Sequence, residues 1–359
     1  MTSDANPYAE HPVRDLIKGI SAFACWVLGG ILVIGGFVYI FADLQNAPGP
    51  RWLWGMLAVL LGIAFCVVGV RLVSRAPDAP QAKLSDDPEH ASALDELIAE
   101  FRDKTAVDCV ELQISTTEFG LLDSHIGGNP YLPPGIPYPT VRTGEYAGRP
   151  LRLLAQINMA DIPPLEGFPG KGLLQFYIND AEDDMFGANF DEPTDDNAFR
   201  VLYHANTSSD SMPAPHLPDT GWTPIESSCA LVATPRRQPM SAGDFRFSPT
   251  LTPMYEEAFG TNEWDEDDQD RLEEEFSGTG HRVGGYPFFT QHDPREEQPE
   301  LAGHTTLLLQ LDTDVVEGDN GTSHQAIMWG DAGVGIFLIE PQRLARLDFS
   351  NVAFTWDCS

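Results

Sequence analysis

The pattern of apolar and polar positions divides the chain into an apolar N-terminal part and a longer part with short apolar segments. Two runs without a charged residue, 19–42 and 52–70, are each long enough, at ~1.5 Å per residue, to cross ~30 Å of hydrocarbon as a helix. The first run is too long for a cleaved signal peptide, and a second run follows it. The short connection 43–51 therefore predicts an antiparallel transmembrane hairpin over 19–73, preceded by a tail at 1–18.

Small residues recur at every seventh position of both apolar runs. Membrane helices associate where small residues let their backbones approach closely, so these positions predict a helix–helix seam. The seam joins either the two helices of one chain or two copies in a homo-oligomer. Lys and Arg flank the hairpin mainly on its outer sides. This bias predicts a two-span protein of the bacterial inner membrane, held there through residues 19–70, with both termini in the cytoplasm. The seam positions are Ala22, Gly29, Gly36, Gly55, Gly62 and Gly69.

After the hairpin the residues become polar and then amphipathic. The Pro-containing segment 74–87 predicts a linker, and a helix follows it, with Asp87 as N-cap and Pro88 in the first turn. The apolar stripe of this helix comprises Leu94, Leu97, Ile98 and Phe101. Further on, short apolar segments alternate with Gly and Pro, which is typical of strands and turns. The Pro- and Ser-rich stretch 206–243 is expected to be a surface loop with little regular structure.

One short pattern occurs twice, as HIGGNPYL at 125–132 and as HRVGGYPFF at 281–289. Each copy precedes an apolar strand with an internal glutamine, Gln156 or Gln310, and then a second apolar strand. A buried glutamine of this kind is expected to satisfy nearby backbone groups. The pattern predicts an α+β fold, an internally duplicated β-rich domain with a few helices behind the two-helix transmembrane hairpin. The predicted bounds are 88–359 for the domain and about 105–205 and 244–359 for its repeats.

The chain is strongly acidic, since 54 Asp and Glu against 21 Lys and Arg give a formal net charge of −33. Such a field repels nucleic acid and attracts a basic protein or cations, although it also suits a solvated surface adapted to the host. The acidic segment 261–276 predicts either a solvated helix or a contact surface for a basic partner. As a helix it would turn Trp264, Leu272 and Phe276 inward. The cysteines lack metal-binding spacing, which indicates free thiols in a reducing compartment.

Several long motifs occur in an order that resembles the YwqG-like family, an uncharacterised bacterial family. They are GGNPYLPPG, PLRLLAQINMADIP, KGLLQFYI, HRVGGYPFFTQHDPR, LLLQLDTD, WGDAGVGIFLI and the closing WDCS. The resemblance covers about 88–359 and leaves the apolar runs outside. It implies a mixed α/β domain with internal duplication, and no established activity, cofactor or catalytic residue. Family members are sometimes encoded near secreted toxin systems, which implies an accessory or immunity role.

Candidate binding residues lie around the second copy of the repeated pattern. His281 and Arg282, beside the turn Gly284-Gly285, would supply a switchable donor and a fixed cation. The two glycine turns serve either as architecture alone or as two loops that flank one cleft on a pseudo-twofold axis. Further candidates in polar loops are His292, Asp293 and Asp331.

Asp312 and Asp314 form a candidate metal site. In a strand, residues i and i+2 face the same side, so both carboxylates could hold Ca²⁺ or Mg²⁺, or act as acid and base. The first repeat has Asn158 and Ala160 at the corresponding positions, which fits either a site confined to one repeat or a divergent turn at the strand end.

The sequence favours a binding protein over an enzyme. It contains no GxSxG, no HExxH and no Cys/His pair placed for nucleophilic attack. We therefore expect an interaction domain without a cofactor that binds a basic protein. The alternatives are a metal-assisted hydrolase using the two aspartates and a sensor of a small ligand in the cleft between the repeats.

Overall fold

A capped helix begins the part of the chain that the structure describes. The computed structural model describes residues 87–208, 210–212, 215, 217, 221–317 and 323–358. Helix α1 (Pro88–Thr105) starts where the sequence predicts, because the Asp87 carboxylate accepts a hydrogen bond from the Glu89 N–H at 3.0 Å. Its predicted apolar stripe is buried against two further helices, α2 (Phe247–Phe259) and α3 (Glu266–Glu275).

These three helices enclose a core of their own, and one buried carboxylate connects them. The Asp268 side chain accepts a hydrogen bond from the Tyr255 hydroxyl at 2.7 Å and lies 2.8 Å from His90 Nε2. Asp268 thereby joins α3 to both α1 and α2. The acidic segment folds as a helix with its predicted inward residues buried or half-buried, namely Trp264, Leu272 and Phe276.

Most described strands belong to one antiparallel sheet of ten strands. In spatial order they are β12 (Ala353–Asp357), β11 (Val334–Ile339), β8 (Thr306–Asp312), β7 (His281–Gly284), β1 (Val107–Ser115), β6 (Cys229–Gln238), β2 (His125–Ile126), β3 (Arg152–Asn158), β4 (Leu173–Ile178) and β5 (Phe199–His204). A separate pair comprises β9 (Asp314–Glu317) and β10 (Ser323–Ile327), and a short helix α4 (Pro341–Leu344) precedes β12. Single 3₁₀ turns are Met185–Gly187, Pro294–Glu296 and Pro299–Leu301. The predicted mixture of strands with few helices is confirmed.

The strand order is symmetric about the central pair of β1 and β6. On one side lie β2 to β5, and on the other lie β7, β8, β11 and β12. β1 precedes β2 in the chain but pairs with β7, whereas β6 precedes β7 but pairs with β2. β6 precedes the predicted second repeat, 244–359, but takes the place there that β1 takes in the first repeat. With β6 included, each repeat places its first strand beside the other repeat, and the two repeats are intertwined.

β6 lies within the stretch 206–243, where a loop was expected, so that expectation is wrong for its second half. Pro235 disfavours a strand assignment because proline cannot donate to a ladder. In the structure β2 covers only Cys229 and Ala230 of β6, so the β6 edge at Pro235 has no β2 residue to pair with. The other edge of β6 pairs with β1 over nine residue pairs, which stabilises the strand.

The main apolar core lies on one face of the sheet, which folds over so that its two halves meet. Phe176 of β4 and Phe337 of β11 are seven positions apart in the strand order, yet their ring centroids are 4.9 Å apart. Val110 and Leu112 of β1 point into this core. Because side chains alternate along a strand, their neighbours on β1 face the opposite side of the sheet.

The two repeated glutamines behave alike and satisfy backbone groups on both sides of their turns, as predicted. Gln156 accepts a hydrogen bond from Tyr131 N at 3.0 Å and donates to the carbonyls of Leu121 and Asp123. Gln310 accepts a hydrogen bond at 2.8 Å from the N–H of Phe288, which lies three residues after Gly285. It donates to two carbonyls that precede β7, those of Gly278 and Gly280.

The predicted membrane spans 19–42 and 52–70, their glycine seam and the linker up to residue 86 lie outside the described residues. Among the residues that are described, no helix is both long and apolar enough to cross a membrane. The predicted localisation, a two-span protein of the bacterial inner membrane with both termini in the cytoplasm, is corrected by this finding.

Candidate functional site

The strand register aligns the two copies of the repeated pattern residue by residue. His125 lies opposite Gln156 in the β2–β3 ladder, and Arg282 lies opposite Gln310 in the β7–β8 ladder. Arg282, rather than His281, therefore occupies the place of His125. An alignment of the two copies by sequence places His281 with His125. The second copy, however, has one more residue between its histidine and its glycines.

The residue before His125 and the residue before Arg282 also make equivalent contacts in the two copies. Ser124 Oγ accepts a hydrogen bond from Asn158 N at 2.9 Å, and His281 Nδ1 accepts one from Asp312 N at 2.9 Å. The second repeat thus carries an imidazole and a carboxylate where the first carries a hydroxyl and an amide. At these two positions only the second repeat carries ionisable side chains.

His281 is buried, and its two nitrogens have separate partners. Nδ1 accepts a backbone hydrogen bond, so the ring proton of the neutral form lies on Nε2. Nε2 is 3.1 Å from Asp314 Oδ2, and this hydrogen bond is the main reason that the pKa of Asp314 is lowered. His281 and Asp314 therefore form a fixed donor–acceptor pair.

The sequence suggests that Asp312 and Asp314 lie on one strand, and the structure shows that they do not. β8 ends at Asp312, and β9 begins at Asp314 in a separate sheet. The Asp312 carboxylate accepts hydrogen bonds from Gly280 N at 2.7 Å and Thr313 N at 2.8 Å. In the described ranges, no group of three or more His, Cys, Asp or Glu side chains is arranged to hold a metal ion. A Ca²⁺ or Mg²⁺ ion on these two aspartates would need other ligands.

Arg282 is 8% exposed and has few partners for a buried cation. One Nη2 hydrogen bond goes to the Thr279 carbonyl, and Nε has no hydrogen-bond partner. No carboxylate oxygen of the described residues lies within 4.0 Å of its guanidinium, and burial lowers its pKa. The arrangement leaves a desolvated guanidinium on which the Asp312 and Glu111 carboxylates act only from beyond ion-pair distance.

Arg282 lines a cavity of about 620 Å³ at the junction of β1, β6 and β7. Glu111 and Arg282 reach it from the face opposite the main core, since their neighbours Leu112 and Val283 belong to that core. Its charged or titratable lining residues are Cys109, Glu111, Arg236, Arg237, His281, Arg282 and Asp314. Both repeats contribute to it, because β1 comes from the first and β6 and β7 come from the second.

A family model described as "Domain of unknown function (DUF1963)" matches residues 124–358. The chain belongs to this family. The match spans both glycine turns, both glutamines, the His281–Asp314 pair and nine of the ten strands of the large sheet. Helix α1 and strand β1 precede the matched residues. No curated protein matches the chain significantly.

The glycine turns of the DUF1963 domain are structural and lie far apart. Gly284 and Gly285 have φ of 73° and 75°, and a Cβ at Gly285 would lie 2.2 Å from Gln238 Oε1. Gly284 pairs with Cys109 near the start of β1, whereas the first turn follows the pairing of β2 with the start of β6. Since β1 and β6 are antiparallel, the turns lie at opposite ends of this ladder. The idea that both turns flank one cleft is therefore wrong.

The remaining predicted binding residues lie apart from the cavity. Asp293 is buried, accepts hydrogen bonds from the backbone N–H of Phe245 and Arg295, and forms an ion pair with the Arg295 side chain. Asp293 therefore holds its own loop to the segment that contains Phe245. His292 and Asp331 are exposed in loops, and neither lines the cavity of Arg282.

Sequence reasoning missed the part of the cavity that comes from β1 and β6. Cys109 and Glu111 of β1 and Arg236 of β6 reach the cavity through pairing between the repeats. The adjacent arginines at 236 and 237 were a signal in the sequence. They fell in a stretch rich in Pro and Ser, which predicts a loop.

Proposed function

We propose that this DUF1963 protein is a non-catalytic binding protein that recognises a basic protein through its acidic helical layer, defined as α1, α2 and α3. An accessory or immunity-type protein of the YwqG-like family would act in this way. The observation that carries the proposal is that every basic side chain of this layer is already neutralised within it.

The layer has three basic residues, and each pairs with a carboxylate of the same layer. Arg102 bonds to Glu275, and Arg271 bonds to Asp95, so two ion pairs bridge α1 and α3. The third pair lies within α1, between the side chains of residues 104 and 100. Exposed carboxylates of the layer that form no ion pair with another described residue include Glu96, Asp103, Glu266, Asp270 and Glu274. They are a negative surface that no basic side chain of the described residues compensates.

This surface is held in a fixed orientation. Seven of the ten residues of α3 are acidic, and Asp268 is the one that points inward, to Tyr255 and His90. Because this buried contact fixes the rotation of α3, the outward carboxylates are presented together. Pre-ordered charges steer association with an oppositely charged partner and lose little entropy on binding.

The metal-assisted hydrolase is less well supported. Asp312 already accepts two backbone hydrogen bonds, and Asp314 accepts one from His281. A metal ion would have to replace these partners. The Thr313 hydroxyl between them donates a hydrogen bond to the Gly333 carbonyl at 2.8 Å.

The test compares two triple variants that remove the same charge. Glu266→Gln, Asp270→Asn and Glu274→Gln neutralise the helical surface, whereas the control changes three exposed carboxylates outside it. The control variant is Asp161→Asn, Glu182→Gln and Glu300→Gln. Full-length protein captures partners at ~0.1 M salt, and the captured protein is purified and titrated with each variant.

We expect the full-length protein to capture a basic protein. Its affinity for the full-length protein should fall at least ~10-fold between ~0.1 and ~0.5 M salt, because salt screens the interaction between surface charges. The α3 triple variant is expected to bind at least ~10-fold more weakly than wild type, and the control to bind like wild type. Equal binding by both triple variants, or no captured protein at low salt, would refute the proposal.

A further inference from the structure

Buried arginines elsewhere in this protein have carboxylate partners. The Arg295 side chain is fully buried and pairs with Asp293 at 2.5 Å and Asp244 at 3.0 Å. Arg282 is nearly as buried, yet its one hydrogen bond goes to the Thr279 carbonyl and its Nε–H is unused. Burying an unpaired charge is costly in free energy. A buried guanidinium with an unused donor is therefore suited to bind an anion from outside the chain.

We propose that the cavity at the junction of β1, β6 and β7 binds a small molecule with a carboxylate or phosphate group, and that Arg282 holds this oxyanion. The proposal goes beyond the binding of a basic protein and does not depend on it. The two sites lie on different elements and attract ligands of opposite charge.

The other charged side chains that line the cavity have hydrogen-bond or ion-pair partners, whereas the Nε–H of Arg282 is an unused donor. Arg236 Nε donates to Glu111 at 2.7 Å, which is the largest reason that the pKa of Glu111 is lowered. Asp314 is paired with His281. A further arginine, at position 237, lies 3.6 Å from Asp108 and bonds to a backbone carbonyl. Three arginines and two carboxylates line the cavity, in a chain whose total charge is −33.

The size and donor chemistry of the cavity fit a small oxyanion. Its volume of about 620 Å³ lies within the ~300–1,000 Å³ typical of small-molecule sites. A guanidinium offers planar N–H groups that match two oxygens of a carboxylate or phosphate, which a Lys ammonium does not. Its Nε–H is the donor for which the structure provides no acceptor.

The first repeat provides an internal comparison. The place of Arg282 is taken there by His125, which is fully buried and stacked on Phe119 at 4.5 Å. Burial lowers the pKa of His125, so it is neutral at pH 7. The first repeat therefore has no cation at this place, and we expect one anion per chain.

The experiment measures calorimetric binding and the Tm of the full-length protein with inorganic phosphate and, separately, succinate, at constant ionic strength against NaCl. We expect a stoichiometry of one and a rise in Tm of ~5–10 °C at free anion near 100 times Kd. Arg282→Met should abolish both, while its Tm in NaCl alone is no lower than that of wild type. Arg102→Gln, which removes an exposed arginine of the helical layer, should leave anion binding unchanged.

Each outcome decides for or against the proposal. A response to only one of the two anions identifies the chemical class of the ligand. No response of wild type to either anion up to ~50 mM above the NaCl reference, or an equal response in Arg282→Met, overturns the proposal. If Arg282→Met does not fold, Arg282→Lys decides, because it keeps the charge but loses the planar donors. Arg282→Lys should bind at least ~10-fold more weakly, and unchanged binding would contradict the assignment.

Discussion

Gln310 allows a quantitative test of how the duplicated turns are held. The side chain is fully buried, and it satisfies one backbone N–H and two backbone carbonyls at 2.7 to 3.1 Å. Gln310→Leu keeps the size of the side chain but leaves these three groups without partners. An unsatisfied buried group costs about 1–3 kcal/mol, so the variant should lose at least about 3 kcal/mol of unfolding free energy.

This loss corresponds to a fall in Tm of roughly 6–12 °C, at about 2–4 °C per kcal/mol for a domain of this size. The assay is urea denaturation of the full-length protein followed by tryptophan fluorescence and far-UV circular dichroism. Gln269→Leu is the control, because Gln269 is exposed on α3 and bonds only to a neighbouring glutamate side chain. A loss below about 1 kcal/mol for Gln310→Leu, or an equal loss in the control, would refute the assigned role.

Three further predictions concern other buried groups. Arg295→Ala leaves the buried Asp293 without an ion-pair partner and leaves Asp244 with Arg246 alone, so it should cost about 3–5 kcal/mol in urea denaturation. Gly285→Ala strains a residue at φ 75° and disturbs a glutamine hydrogen bond. It should therefore cost at least about 1 kcal/mol more than Gly144→Ala, which has φ 85° and open space around it. Burial lowers the pKa of His125 and His204, so Tm should fall between pH 7.5 and 5.5.

The sign of the pH effect follows from linkage. A histidine with a lowered folded-state pKa binds more protons in the unfolded chain, so its contribution to stability is complete above its ordinary value of 6.5. That contribution is lost as the pH falls through the folded-state pKa. Resolved histidine NMR signals would measure the individual pKa values. A Tm that is constant over this range would contradict the prediction, as would equal losses for the two glycine variants or a stable Arg295→Ala protein.

The local signals in the sequence were reliable where the cause is local. Asp87 and Pro88 predict the start of α1, and the helix begins there. The repeated Gly-Gly pattern predicts two equivalent turns, and all four glycines have positive φ. Gln156 and Gln310 predict buried amides bonded to the backbone, because an unpaired amide in an apolar strand would be too costly.

The candidate site was predictable only in part. His281 and Arg282 were selected from their place beside a turn, and both line the cavity. Asp293 was also selected as a polar residue near a turn, yet its carboxylate forms an ion pair with Arg295 inside the protein. A polar residue in a loop has the same local pattern in both cases. Whether its charge is compensated depends on residues far away in the chain.

The sequence by itself determined the helix start, the turns, the alternation of short strands and the membership of the chain in a family. These features depend on backbone sterics and on periodicity within a few residues. Only the tertiary structure decided that β1 and β6 exchange between the repeats, and that Arg282 replaces His125. The reason is physical: an apolar pattern states which face of a strand is buried, but not which strand will satisfy its edges. Glu111 and Arg236 lie 125 residues apart and bond to each other beside Arg282, and that contact exists only once the sheet has formed.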